Sequence, residues 1–179
     1  MPHGSLAPDS RWAGTITAVT APEVCFEDLP AGRRIALGSV VVDRDEMLAF
    51  NRRFDPQPFH VDEEAARASL FGGLCASGWF TASLWMRCYV DGLLSRAAAL
   101  GSPGGDEIAW PAPVFPGDHL EAAMDVVAAR VSASRPRLGL VTLVGTLTRG
   151  AGTDEAVTVY RGRFTGMFGL RGTDGTASA

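Results

Sequence analysis

Lysine is absent from the 179-residue chain, and all 16 basic residues are arginine. That excludes Schiff-base lysine chemistry and a Walker-type phosphate loop, both of which need an amine. Cysteine is scarce: only Cys25, Cys75 and Cys88 are present, with no CxxC spacing. An odd, sparse set argues against a disulfide or zinc framework and for a reducing compartment. Cys75 and Cys88 sit in apolar surroundings, where a free thiol acts as a small hydrophobe. There is no run of basic residues, and the net charge is −4, which argues against nucleic acid as a partner. The longest uncharged apolar stretch, Leu74 to Met86, stops at Arg87 and is too short to cross a bilayer. Met1–Ser5 shows no basic region followed by an apolar one, so no secretory signal is read and a cytoplasmic location is expected.

What remains is the composition of a folded protein: 46% hydrophobic and 20% charged residues place the chain outside the disordered class. Its length suits one domain, which typically spans roughly 50–200 residues. Residues 1–20 have no strong periodicity and are expected to be a loose extension, with one domain over 21–170. The Gly/Thr/Ser/Ala-rich end, 171–179, is expected to be a disordered tail.

The β-branched run Val40-Val41-Val42 marks a strand over about Arg34–Val42. Asp43, with Glu46 three residues on, reads as an N-cap. The helix it starts has Met47, Leu48, Phe50 and Phe54 as its apolar set and must end before Pro56. Asp62-Glu63-Glu64 opens a short exposed helix, acidic at its start as the helix dipole prefers, and Gly72-Gly73 breaks it. From Ala76 to Ala99 the spacing predicts a long helix, apolar nearly all round in its first half and therefore buried on most sides. Strands follow: Leu120, Ala122, Met124 and Val126 alternate with polar residues, and 138–147 and 157–168 continue the pattern. Short links between successive strands imply an antiparallel sheet. The fold class is therefore α+β, a curled antiparallel sheet wrapped around a long, largely buried central helix.

Between the first helix and the apolar one lies Asp55-Pro56-Gln57-Pro58-Phe59-His60. Proline restricts itself and the residue before it, so Asp55 and Gln57 are biased to extended backbone. A stiff segment of this kind can hold a carboxylate and an imidazole around one water as an acid/base pair. On spacing alone the same segment also reads as a turn, with Asp55 as a cap and His60 half-buried.

The segment resembles the D-x-N-P-hydrophobic-H motif of the MaoC-like dehydratases, the (R)-specific enoyl-CoA hydratase group, with Gln57 in place of the usual Asn. Phe26-Glu27-Asp28-Leu29, Phe71-Gly72-Gly73-Leu74, Ala76-Ser77-Gly78-Trp79 and Pro113-Val114-Phe115-Pro116-Gly117-Asp118 extend the likeness over about residues 24–168. The resemblance implies a hot-dog fold and a hydro-lyase of fatty acid metabolism that interconverts trans-2-enoyl and (R)-3-hydroxyacyl thioesters. It implies Asp55 and His60 as the catalytic pair and Gly78 as the backbone N–H facing the thioester carbonyl, with Gln57, Ser77 and Trp79 toward the substrate. No metal and no separate cofactor is implied; coenzyme A or a carrier-protein phosphopantetheine is part of the substrate. A homodimer is expected, or a heterodimer with another hot-dog chain.

Ser77 stands where hydratases often carry His, and it also reads as the N-cap of the core helix. Met86 stands where some hydratases have a small polar residue. Trp79, Phe80 and Trp85 fit either an acyl tunnel or plain core, and Arg135-Pro136-Arg137 either a coenzyme phosphate contact or a solvated loop. Asp106-Glu107 ahead of Trp110 fits equally a feature that recurs in a subgroup of that family and a solvated turn. The competing functions are a hot-dog thioesterase, which needs a carboxylate near the helix start that this chain lacks, and an acyl-binding partner subunit of a two-chain dehydratase.

Overall fold

The computed structural model describes residues 22–172. The loose extension expected over 1–20 and nearly all of the expected C-terminal tail lie outside them. Five strands form one antiparallel sheet: β1 (Arg34–Val41), β2 (Gly104–Ala109), β3 (His119–Val131), β4 (Leu138–Arg149) and β5 (Val157–Gly169). Their order is β1-β3-β4-β5-β2, with β1 and β2 as open edges. The helices are α1 (Arg44–Phe54), α2 (Pro58–Val61), α3 (Glu63–Ala68) and α4 (Gly78–Gly92), and single 3₁₀ turns lie at Phe26–Asp28 and Leu94–Arg96. A curled antiparallel sheet around one long helix is the hot-dog fold.

The curl comes from irregularities that bend the strands. Register shifts fall at Ala36/Gly38 in β1, Val126/Ala128 in β3, Leu147/Thr148 in β4 and Gly105/Glu107 in β2. On the concave side Leu120, Met124, Val141, Leu143 and Leu147 are fully buried. These are the alternate positions of their strands, as a period of two requires.

Trp85 seats α4 in this trough. A Cβ at Gly145 would stand 2.2 Å from the Trp85 ring, and Gly145 pairs with Gly162 on β5. The missing side chain at Gly145 thus leaves a hollow for the indole, and the one at Gly162 makes room for Tyr160 and Phe164 beside it. Within it Trp85 stacks on Phe164 at 5.6 Å and on Tyr89 at 4.9 Å. Its Nε1–H donates to the Ala123 carbonyl at 3.1 Å, so the one polar atom of the ring is satisfied as burial demands.

The helix expected over 76–99 is shorter, ending at Gly92. A side chain there would meet the Leu37 backbone at 2.8 Å, so the helix end lies directly against β1. Leu93 then leaves helical geometry at φ −142°. Two further expectations are corrected. Phe54 is 62% exposed rather than core, tilted against Phe50 with Arg53 over its ring. Asp106 and Glu107 lie on edge strand β2 rather than in a turn, ion-paired with Arg163 and Arg161 of β5.

Candidate active site

The site begins where α1 ends. Asp43 starts that helix as an N-cap, its Oδ1 accepting from the Asp45 and Glu46 amides, and Pro56 ends it. Asp55, the C-cap residue, has φ −149° and ψ 66°, outside the helical region as a residue before proline must be. Its N–H still donates to the Asn51 carbonyl at 2.9 Å, so its place relative to α1 is fixed. Gln57, also before a proline, is extended with ψ 144°, and Pro58 opens α2, where its missing N–H costs nothing. The His60 amide donates to the Gln57 carbonyl at 2.8 Å. The chain therefore doubles back, and Asp55 Oδ2 faces His60 Nε2 at 3.6 Å.

Each oxygen of the carboxylate is held. Gln57 Nε2 donates to Oδ1 at 2.8 Å and Ser77 Oγ donates to Oδ2 at 2.6 Å. Burial pushes the Asp55 carboxyl up, but the Ser77 and Gln57 hydrogen bonds and the nearby His60 outweigh it and hold it below the usual carboxylate value. Bonds to the charged form favour that form, so Asp55 is an anion at neutral pH.

The imidazole is held from its other side. His60 Nδ1 lies 2.9 Å from the Cys75 carbonyl. A carbonyl only accepts, so a proton on Nδ1 completes this bond, and Nε2 is the nitrogen turned toward Asp55. The ring itself is buried, wedged edge-on to Phe59 at 4.5 Å. Cys75 Sγ is 3.6 Å from Nδ1, and burial pushes that thiol up, so it stays a neutral neighbour.

Ser77 does two things at once. Its Oγ donates to Asp55 and accepts from the Trp79 amide at 3.2 Å, the N-cap bond of α4. Of the amides at this helix start, Ser77's donates to Asn51 Oδ1 at 3.2 Å and Trp79's to the cap. The Gly78 N–H has no hydrogen-bond partner among the described residues. It sits at the positive end of the helix dipole. A Cβ at Gly78 would stand 2.7 Å from Trp110 Cε2, so the indole of Trp110 lies flat on the glycine and forms one wall beside that free amide. Trp79 points outward, 59% exposed, its ring edge-on to Trp110 at 5.3 Å.

Asp55, His60, Gln57 and Ser77 thus form one hydrogen-bonded cluster, with Gly78 the next residue and Trp79 at its rim. Trp85 and Phe80 are core. Trp85 and Met86, with Tyr89, Leu143, Phe164 and Phe168, also line an apolar cavity of about 210 Å³. It opens about 12 Å along α4 from Gly78, counting 1.5 Å per residue. The stretch Arg135–Arg137 lies between β3 and β4, and His119 starts β3; neither joins the cluster. Two residues of the site carry no motif signal: Asn51 and Trp110. Asn51 was detectable as a polar residue on the buried stripe of α1, beside Met47 and Leu48.

Comparison with known proteins agrees with this geometry. Residues 28–149 match the family model described as the MaoC like domain. The chain belongs to the MaoC-like domain family. It is similar to a crystal structure of a MaoC-like dehydratase from Rhodospirillum rubrum, with 39% identity and a TM-score of 0.73, over 83% of this chain and 98% of that one. This MaoC-like domain also shares its fold with the (R)-hydratase PhaJ1 of Pseudomonas aeruginosa: TM-score 0.62 at 16% identity, over 82% and 86% of the two chains. A curated relative, the uncharacterized protein YdeM of Bacillus subtilis, is 26% identical over 119 residues, 66% of this chain and 83% of that protein. The family and the Rhodospirillum rubrum dehydratase support hydratase or dehydratase chemistry in general terms. Among the described residues no helix is long and apolar enough to cross a membrane.

Proposed function

We propose that this MaoC-like domain is a hydro-lyase that adds water to a trans-2-enoyl thioester and removes it from an (R)-3-hydroxyacyl thioester, the carrier being coenzyme A or an acyl carrier protein. The observation that carries the reading is the approach of Asp55 Oδ2 to His60 Nε2 at 3.6 Å, with the other ring nitrogen, Nδ1, held at the Cys75 carbonyl. The gap is too long for a direct hydrogen bond and has the right acceptors for a shared water.

In hydration, that water gives one hydrogen bond to Asp55 Oδ2 and its reacting proton to His60 Nε2 as its oxygen bonds to C3. Electrons move from the C2–C3 double bond toward the thioester oxygen, and the enolate is met by the Gly78 N–H. The imidazolium then returns its proton to C2, completing the net addition of one water. A pre-aimed donor of this kind is often the largest catalytic contribution, because it needs no reorganisation as charge develops. Asp55, held ionised by Ser77 and Gln57, orients the water and balances the imidazolium; His60 moves the proton. Substrate contacts at Gln57, Ser77 and Trp79 belong to the same proposal, as does seating of the acyl chain in the apolar cavity beside Met86. No acid lies on α4 before Asp91, which weighs against a thioesterase.

The open backbone edges of β1 and β2 suit pairing with a second copy, and a homodimer is part of the reading. Size-exclusion mass tests it: a monomer counts against the stand-alone enzyme.

The test of the chemistry is loss of the enoyl-thioester absorbance with crotonyl-CoA, in wild type, Asp55→Asn and His60→Ala. General acid–base groups contribute about 10²–10⁴-fold. Each variant should lose at least the lower figure while keeping its circular dichroism spectrum. Wild-type rates in both would sink the proposal, and released thiol would turn it toward hydrolysis.

A further inference from the structure

We propose that Asn51 is the positioning residue that selects the proton pattern of the catalytic pair, an inference that rests on the reading of Asp55 and His60 just given. Asn51 is fully buried in the last turns of α1, away from any reacting atom. Its carboxamide nonetheless touches each segment that supplies the site. Nδ2 donates to the His60 carbonyl at 2.9 Å and to the Cys75 carbonyl at 3.4 Å, and Oδ1 accepts from the Ser77 amide at 3.2 Å. Its backbone carbonyl accepts from the Asp55 N–H at 2.9 Å.

The partners fix which way the amide lies. Carbonyls accept only and an N–H donates only, so Nδ2 must face the carbonyls and Oδ1 must face Ser77. One small side chain therefore ties His60, the chain at Cys75 and the N-cap of α4 to a single point, while Asp55 hangs from the backbone of the same residue. The Cys75 carbonyl is the shared atom: it accepts from Asn51 Nδ2 and from His60 Nδ1–H. By holding that carbonyl, Asn51 holds the imidazole in the Nδ1–H form, with Nε2 left open to take the proton of water. The Ser77 amide bond does the same for the hydroxyl that keeps Asp55 ionised.

Without Asn51 the polypeptide has no other side chain bridging these three backbone groups among the described residues, and the Cys75 carbonyl, whose peptide plane is then fixed only by the Ala76 N–H on the Val114 carbonyl at 2.8 Å, loses the donor that competes with and aligns the His60 bond. His60 then samples both neutral forms, and in the Nε2–H form it cannot accept from water at that nitrogen. A displacement of about 1 Å in a reacting group can cost about 10²-fold in rate.

The experiment uses the full chain and ¹⁵N long-range NMR of the histidine side chains, of which there are three, His3, His60 and His119. His60 is assigned by loss of its signals in His60→Gln. Wild type should show neutral His60 as the Nδ1–H form alone. Asn51→Leu, close in volume and without polar atoms, should show a mixture, with kcat down about 10²-fold and KM changed less. Should Asn51→Leu fail to fold, Asn51→Ser carries the same two readouts. A wild-type His60 in the Nε2–H form overturns the proposal, as does a variant whose His60 stays in the Nδ1–H form with kcat unchanged. The NMR readout does not depend on turnover. A wild type that holds the Nδ1–H form yet leaves both crotonyl-CoA and crotonyl-acyl carrier protein untouched counts against the hydratase reading alone.

Discussion

Gly78 should be intolerant of a single methyl group for a reason that lies outside the substrate. A Cβ at this position would stand 2.7, 2.8 and 3.0 Å from Trp110 Cε2, Cδ2 and Nε1. Non-bonded heavy atoms prefer about 3.5–4.0 Å, so the overlap is at least roughly 0.5–0.8 Å across the three ring atoms. Either the indole or the first turn of α4 must give way by that amount. Overpacking of this kind costs about 1–3 kcal/mol in a closed core. Trp110 is part-exposed and free to swing, which favours the lower figure, and alanine recovers about 0.5–1 kcal/mol over glycine within a helix. The net stability change in Gly78→Ala should therefore be under about 1 kcal/mol. Activity should suffer far more, because the amide that turns with the helix start is the one aimed at the thioester oxygen. A loss of one such donor costs about 10²–10³-fold in kcat. The assay is crotonyl-CoA hydration beside urea unfolding, in Gly78→Ala, Trp110→Ala and the double variant. Removing the indole should relieve the clash, so the double variant should turn over faster than Gly78→Ala alone. If it is no faster, the glycine serves substrate approach and the steric argument fails.

Two other predictions come from the same geometry. Ser77→Ala removes a cap worth about 1 kcal/mol and one of the two bonds that hold Asp55 below the usual carboxylate value. With burial then less opposed, Asp55 titrates at higher pH. The acid limb of kcat/KM should move up, and the stability that Asp55 provides above its unfolded-state value, lost as pH falls through its lower folded value, should shrink. An unmoved acid limb beside a lowered Tm would leave Ser77 as a cap only. Trp85→Ala should cost about 3–5 kcal/mol in urea unfolding, since a glycine-floored hollow offers no side chains to refill the space. A cost under about 2 kcal/mol, below that range, would mean that α4 is seated by something else.

Much of this was legible in the sequence where one residue type enforces one geometry. Asp43 as a cap, Pro56 as a stop and Ser77 as the start of α4 each rest on local backbone chemistry, and the structure places all three there. The alternation of Leu120, Ala122, Met124 and Val126 likewise gave β3 its buried face. Strand β2 was missed because its six residues, Gly104 to Ala109, lie on an edge and bury almost nothing, so no alternation marks it. The exposure of Phe54 and Trp79 was missed for a related reason: a helical stripe says what is apolar, not which part of the stripe the sheet of one chain covers. Asn51 was invisible as chemistry because its partners are backbone groups 9 to 26 residues away, which no spacing rule encodes. Trp110 meets Gly78 only because the chain after β2 returns to the start of α4.

The anchoring of Asp55 at both oxygens has a stereochemical consequence under the proposed chemistry. With Oδ1 occupied by Gln57 and Oδ2 steadied by Ser77, the carboxylate has no freedom to swing, and a water bound to it can be presented from one direction only. Handedness of the new C3 centre is then written into a proline-stiffened turn, while acyl length is decided elsewhere, by the cavity beside Met86. The two properties can drift apart in evolution or be engineered separately: enlarging the cavity should widen the range of acyl groups accepted while the enantiomeric composition of the products, read by chiral chromatography, stays constant across the series.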